Sequence, residues 1–270
     1  MKNQEPFFSV IICCFNSEEF IKETIDSVIN QTFKDWEIVV VDDGSSDETS
    51  KIIHDYISKG VDINYFYQEN RGFAKARNEC IELAKGKWIV IIDHDDICLP
   101  KRLEIHRNQI LTNPDCGFFF GNTIHFSSDS PELKKHFDNF NLEELELTQV
   151  RVSKSLINSG CFIDSESVMF NKEIAKNSVK FNESFKYIAD YDFFIRMGFH
   201  TNFSFTKEVV SKWRVHKSQA TENMRLTYKV ENIKLLVGLL RAKSFNYFFK
   251  MRIAFQVFKS LFRLVLRPRS

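Results

Sequence analysis

Residues 88–100 read Trp88-Ile-Val-Ile-Ile-Asp93-His94-Asp95-Asp96-Ile-Cys98-Leu99-Pro100, an apolar run that ends on three carboxylates. Five apolar residues bounded by Gly86 and by acids predict a strand buried on both faces, as in the middle of a parallel sheet. The acids then stand at its carboxyl end, the edge of an open α/β sheet where ligands bind. Clustered Asp oxygens at that place suit a hard divalent cation that holds phosphate. In isolation the same residues would also serve as a solvated acidic turn, so the neighbouring segments decide.

Upstream, strand and helix alternate. Residues 8–14 form a short apolar run that ends at Phe15-Asn16-Ser17, with Ser17 as the expected helix N-cap before Glu18 and Glu19. Phe20, Ile21, Thr24, Ile25, Val28 and Ile29 recur at helical spacing. Residues 37–41 predict a second buried strand, which stops at the turn Asp42-Asp43-Gly44-Ser45-Ser46-Asp47. A helix ending at Gly60, a third strand over 62–67 and a third helix over 72–84 follow. Such alternation forces crossover connections and a mainly parallel sheet with helices on both faces. Asn16, the Asp42-Asp43 pair and the 93–96 acids then share one edge.

Beyond Pro100 the pattern loosens. A helix is expected over 101–111, a strand over 116–120 ending at Gly121-Asn122, a polar loop over 127–141, a strand over 165–170, a helix holding Asp190, and a late strand over 209–215.

The chain has 270 residues, 43% of them hydrophobic and 27% charged, with a formal net charge of +1. That balance hides an asymmetry: residues 232–270 hold nine Lys or Arg and no acid, leaving 28 basic against 36 acidic residues in the rest. The near-zero net charge argues against a nucleic-acid partner, while the asymmetry between acidic body and basic tail points to an anionic surface as the tail's partner. On a helical wheel Arg252, Gln256, Lys259, Ser260, Arg263 and Arg267 fall in one sector, and apolar residues fill the remainder. This is the pattern of a helix lying in a membrane interface, although packing on the body or on a second copy would use the same face. Six cysteines without a C-x-x-C pair read as small buried hydrophobes in a reducing compartment. With no signal-peptide pattern and no apolar stretch of about 18 residues, a cytoplasmic protein, peripheral on the inner face of the membrane, is expected.

Taken together, these residues resemble the family 2 glycosyltransferases, inverting enzymes of the GT-A fold. The resemblance rests on five segments in order: Ser9-Val-Ile-Ile-Cys-Cys-Phe-Asn16, Ser27-Val-Ile-Asn-Gln31-Thr-Phe33, Glu37-Ile-Val-Val-Val-Asp-Asp43-Gly-Ser-Ser-Asp47, Asn70-Arg-Gly72 with Ala76-Arg77-Asn78, and the stretch from Gly86 to Asp96. It implies one GT-A domain with a nucleotide-sugar-binding half over 1–100 and an acceptor-binding half over 101–225, to which the charge pattern adds a basic amphipathic helical tail over 226–270. It implies a nucleoside diphosphate sugar donor, here a UDP-sugar, and a glycan or lipid-linked acceptor in cell-surface polysaccharide synthesis.

The resemblance also assigns roles. Asn16 and Asp43 would belong to the nucleotide site, Asp43 contacting the base, and Asp93 would contact the ribose. Asp95 would hold Mn²⁺ or Mg²⁺, and His216 of Trp213-Arg-Val-His216 would be a third metal or diphosphate contact. Arg77 would be a cation near the phosphates or a structural ion pair. Asp190 would be the general base, although Ala189 stands where the family carries Glu. Asp96 reads as a helix-entry acid, Asp192 as a cap or solvated acid, and His94 as a spacer. Two other classes remain: a non-catalytic nucleotide-sugar binder or membrane scaffold, and a metal-dependent phosphoesterase, which would want two metals and more His near the acids.

Overall fold

The computed structural model describes residues 5–139, 141–216 and 225–266. Its parallel half is built from β1 (Phe8–Cys14), α1 (Ile21–Ile29), β2 (Trp36–Asp42), α2 (Thr49–Ser58), β3 (Ile63–Tyr67), α3 (Phe73–Leu83) and β4 (Trp88–Ile91). β1 and β4 are buried along their whole length, so their side chains feed two cores by alternation. Val10, Ile12 and Cys14 face α1 and α2, whereas Ile11 and Cys13 face α3 and the later helices.

The second half contributes β5 (Ile97–Cys98), α4 (Arg102–Thr112), β6 (Cys116–Ser127), β7 (Ser130–Lys135), α5 (Arg151–Ser159), β8 (Met169–Asn171), α6 (Lys172–Ser178), α7 (Ala189–Met197) and β9 (Asn202–Arg214). One sheet runs in the order β3-β2-β1-β4-β8-β6-β9-β5, with β7 on β6. β3, β2, β1 and β4 are parallel, β8 is antiparallel to both β4 and β6, and β9 is parallel to β6. The fold is therefore α/β with helices on both faces of a mixed sheet, its parallel half as expected.

That arrangement fixes the site. Parallel strands deliver their carboxyl ends to one edge, and antiparallel β8 delivers the residues before it to the same edge. The segment 164–168 thereby meets Asp93, and the end of β9 brings Arg214 and His216 there. Buried Arg102 ties the two turns together by donating from Nη2 to the carbonyls of Ile91 (2.8 Å) and Val168 (3.1 Å).

Several expectations need correction. Ser17 does not cap α1 with its side chain: its Oγ accepts from the Phe15 N–H, and its carbonyl accepts from Phe20 and Ile21. The strand expected to stop at Gly121 continues to Ser127, because Gly121 is a place of close approach. A Cβ there would lie 2.6 Å from Val210 Cγ2 on β9, so the glycine allows pairing to continue. Much of the expected polar loop is β7, paired with β6 as a hairpin. Ser165–Ser167 is a 3₁₀ turn, and only Met169–Asn171 is strand.

At the C-terminus, α8 (Arg225–Leu239) and α9 (Tyr247–Leu266) pack on each other. Leu235, Leu236, Leu239, Phe245 and Ile253 join the core of the main body. The opposite side of α9 exposes Phe248, Met251, Phe255, Phe258 and Phe262. No helix among the described residues is long and apolar enough to cross a membrane. Arg267 and Arg269 lie outside the described residues. All six cysteines are free; Cys13, Cys14, Cys80 and Cys98 are buried, while Cys161 is exposed.

Candidate functional site

Asp43 follows β2 at the sheet edge and is buried. Its Oδ1 accepts from Gln68 Nε2 (2.6 Å) and the Arg71 N–H (2.8 Å), and its Oδ2 accepts from the Gly72 N–H (2.8 Å). A carboxylate offers about four acceptor positions, so one remains for a ligand N–H. Asp43 lines a cavity of about 430 Å³ with residues 70–76, His94 and residues 183–187. His94, taken from sequence as a spacer, is thus a wall of the cavity. Gly44 is needed beside it: its φ of +92° favours glycine, and a Cβ would lie 2.8 Å from the Asn70 nitrogen. Asn16, at φ +48°, holds the adjoining turn by accepting from the Ser46 N–H at 2.9 Å, and its own N–H donates to Ser45 Oγ.

Arg77 occupies the centre. It projects from α3 and is 1% exposed, with its guanidinium 4.0 Å from the Phe73 ring centroid. Nη2 donates to Asp93 Oδ1 at 2.6 Å, and Nη1 donates to Asp190 Oδ1. Asp93 also accepts from Ser165 Oγ at 3.2 Å. One cation therefore bridges the acid that ends β4 and the acid at the start of α7. Asp190 is pushed up to about 6 by burial, an effect that Arg77 opposes and Asp93 reinforces. Asp192, on the same helix, is buried and ion-paired to Arg196 (Nε–Oδ2 2.8 Å), not a solvated acid.

Asp95 and His216 also meet, although 121 positions separate them: His216 Nε2 lies 2.9 Å from Asp95 Oδ2. The His216 ring packs on Phe20 at 4.9 Å. Arg214 donates from Nε to the Asp95 carbonyl (2.8 Å) and pairs with Glu23. A carboxylate facing an imidazole suits Mn²⁺ or another divalent ion that accepts both oxygen and nitrogen ligands.

Asp96 is not a helix-entry acid. It is fully buried, and α4 begins only at Arg102. Its Oδ1 accepts from the Arg214 N–H at 2.8 Å, while its Oδ2 has no partner among the described residues. Buried Glu166 has an Oε1 without a partner among the described residues and comes close to Asp96 and Asp93. Burial and neighbouring carboxylates hold both Asp96 and Glu166 well above the ordinary carboxylate range. An orphaned buried oxygen on each also makes the Asp93–Asp96–Glu166 group chemically competent for a hard cation.

Sequence reasoning missed Glu166, Gln68 and a further group in which Thr123, His125 and His136 converge on Asp164 Oδ2. No local signal could have found it, because its members come from β6, a 3₁₀ turn and the segment before β8.

Comparison with known proteins gives the family of the chain. The profile described as Glycosyl transferase family 2 matches residues 9–179. An uncharacterized glycosyltransferase of Rickettsia prowazekii is 35% identical over 243 residues, covering 87% of this chain and 72% of the relative. The putative teichuronic acid biosynthesis glycosyltransferase TuaG of Bacillus subtilis is 33% identical, over 50% of this chain and 54% of its own. Among solved structures, S. aureus TarS 1-349 in complex with UDP-GlcNAc superposes with a TM-score of 0.71 at 20% identity, over 95% of this chain and 72% of that one. The mannosyltransferase PcManGT from Pyrobaculum calidifontis, in complex with GDP-Man and Mn²⁺, gives 0.67 at 19% identity, over 95% and 70%. With a family match over more than half its length, this chain belongs to glycosyl transferase family 2.

Proposed function

We propose that the protein is an inverting, metal-dependent glycosyltransferase that moves a sugar from a nucleoside diphosphate sugar, a UDP-sugar in our reading, to a hydroxyl of a glycan or lipid-linked acceptor in cell-surface polysaccharide synthesis. The observation that carries the proposal is the Asp93–Arg77–Asp190 bridge beside the Asp43 cavity. It supports a donor-binding acid and a basic carboxylate held in one frame. TuaG's teichuronic acid role and the nucleotide sugars bound by TarS and PcManGT support the substrate class.

In this reading Asp43 accepts the base N–H at its remaining acceptor position, with Asn16 shaping the adjoining turn, and Asp93 accepts from the ribose. Asp190 removes the proton of the acceptor hydroxyl while that oxygen attacks the anomeric carbon on the face opposite the diphosphate, inverting it in a single displacement. One base suffices, in contrast to the paired acids of glycoside hydrolysis. Asp95 and His216 would hold Mn²⁺ or Mg²⁺, which when bound supplies charge neutralisation for the departing diphosphate. Arg77 keeps Asp190 in place and favours its ionised form.

The exposed apolar side of α9, bordered by Arg252 and Lys259, supports peripheral attachment to an anionic membrane surface, where a lipid-linked acceptor would be found. The decisive experiment is a thermal-shift panel of UDP-, GDP- and dTDP-sugars with Mn²⁺, followed by product analysis. Stabilisation by one donor and transfer with an inverted anomer are expected. No response to any nucleotide would sink the proposal.

A further inference from the structure

The helix that holds Asp190 enters from a segment without a side-chain cap of its own: the Ile188 side chain makes no capping bond. A carboxylate from far along the chain meets the backbone there. Glu231, on α8, is 5% exposed. Its Oε1 accepts from the Lys186 N–H at 2.8 Å, and its Oε2 accepts from the N–H groups of Tyr187 at 2.9 Å and Ile188 at 3.3 Å.

Three successive amide donors on one buried carboxylate is a demanding arrangement. It needs the charge, since an acceptor-only group faces donors at both oxygens, and it is favoured by the positive end of α7. The braced segment serves both functions of the site. Residues 183–187 line the donor cavity, and Asp190 stands two positions beyond Ile188 in the first turn of α7.

We propose that Glu231 is a positioning residue for transfer: through the amides of residues 186–188, α8 fixes both the donor-cavity wall and the place of the Asp190 carboxylate. α8 is thus part of the working site, not an appendage to it. This inference rests on the transferase reading for its kinetic consequence, while the brace itself has a readout that does not.

The test uses full-length Glu231→Gln and Glu231→Ala. Gln preserves shape but must turn its NH₂ toward one set of N–H donors. Hydrogen exchange of the 186–188 amides is measured first: protection in the wild type and exchange about tenfold faster in both variants are expected, with β1 unchanged. Kinetics per folded molecule are measured next. The kcat should fall by roughly 10²-fold, the cost of a displacement of about 1 Å at a reacting group, and donor KM should rise several-fold. Wild-type amides that exchange freely, or variants that lose only melting temperature while kcat and KM per folded molecule stay unchanged, would overturn the proposal. Should the wild type transfer no sugar, the transferase reading fails by itself, and exchange at residues 186–188 still decides the brace.

Discussion

The state of Asp190 makes the most exacting prediction. An ordinary aspartate ionises near 3.8, whereas burial beside Asp93 pushes Asp190 up to about 6 despite Arg77. That difference corresponds to about 3 kcal/mol in favour of the protonated carboxyl. A base must be deprotonated to act, so the single-turnover rate at saturating donor should be flat above pH 7, half-maximal near pH 6 and roughly a tenth of the plateau at pH 5. Arg77 stabilises the charged form, so removing its bridge moves the limb upward. Arg77→Lys keeps a positive charge but, as a point cation, does not fork between two carboxylates. Its limb should lie above the wild-type value, with a lower plateau. Donor binding measured over the same range separates this effect from metal or nucleotide titration. A wild-type rate that stays flat down to pH 4.5, or an Arg77→Lys limb that moves down, would refute the reasoning.

The same shift has a stability consequence. A carboxyl whose folded-state pKa is raised binds its proton more tightly in the folded chain, so its contribution is fully present below the unfolded value of 3.8 and is lost as pH rises through about 6. Asp190→Asn should therefore abolish transfer yet keep, or raise, the melting temperature at pH 8, with donor binding nearly intact. A clear loss of stability there would reverse the sign of the argument. Gly44→Ala should weaken donor binding at least tenfold, because the positive φ and the Asn70 backbone at 2.8 Å both oppose a side chain; isothermal titration with the donor checks it. Asp95→Asn and His216→Ala should each lower Mn²⁺ affinity, read by titration calorimetry on the nucleotide-bound protein, with about 10-fold or greater loss expected. Phe255 and Phe258 are both 65% exposed, so changing both to Glu should leave the melt unaltered but cost about 3 kcal/mol of lipid burial. Flotation with anionic liposomes should drop sharply; equal flotation would exclude this face.

Most of the parallel half was legible because β1, β2 and β4 are short apolar runs between turn residues. Burial on both faces writes β1, β2 and β4 into composition itself. The second half obeys rules that act at a distance. Gly121 looks like a strand end, and only the nearness of Val210 shows why pairing runs on past it. β7 is a polar hairpin arm with nothing in its own sequence to separate it from loop, and β8 is three residues held between β4 and β6. The site divides the same way: Asp43 and the 93–96 acids stand at strand ends and could be read, whereas Glu166 and Glu231 matter through partners that no local pattern announces.

Arg77 shows how this difference bears on mechanism. From sequence it is a cation in the right neighbourhood, equally suited to a phosphate or to an ion pair. In the structure both guanidinium ends are committed to carboxylates and its face to Phe73, so its charge balances Asp93 and Asp190. Positive charge at the cavity wall then comes from Arg71, Lys75 and Lys186, of which Lys75 lies 3.7 Å from Glu183. Side chains alone leave little fixed charge to meet a diphosphate next to three aspartates. It follows that the donor should bind weakly without a divalent cation, and that raising ionic strength should weaken metal-free binding far more than metal-bound binding, since exposed lysine and arginine contacts are screened while a coordinated ion is not.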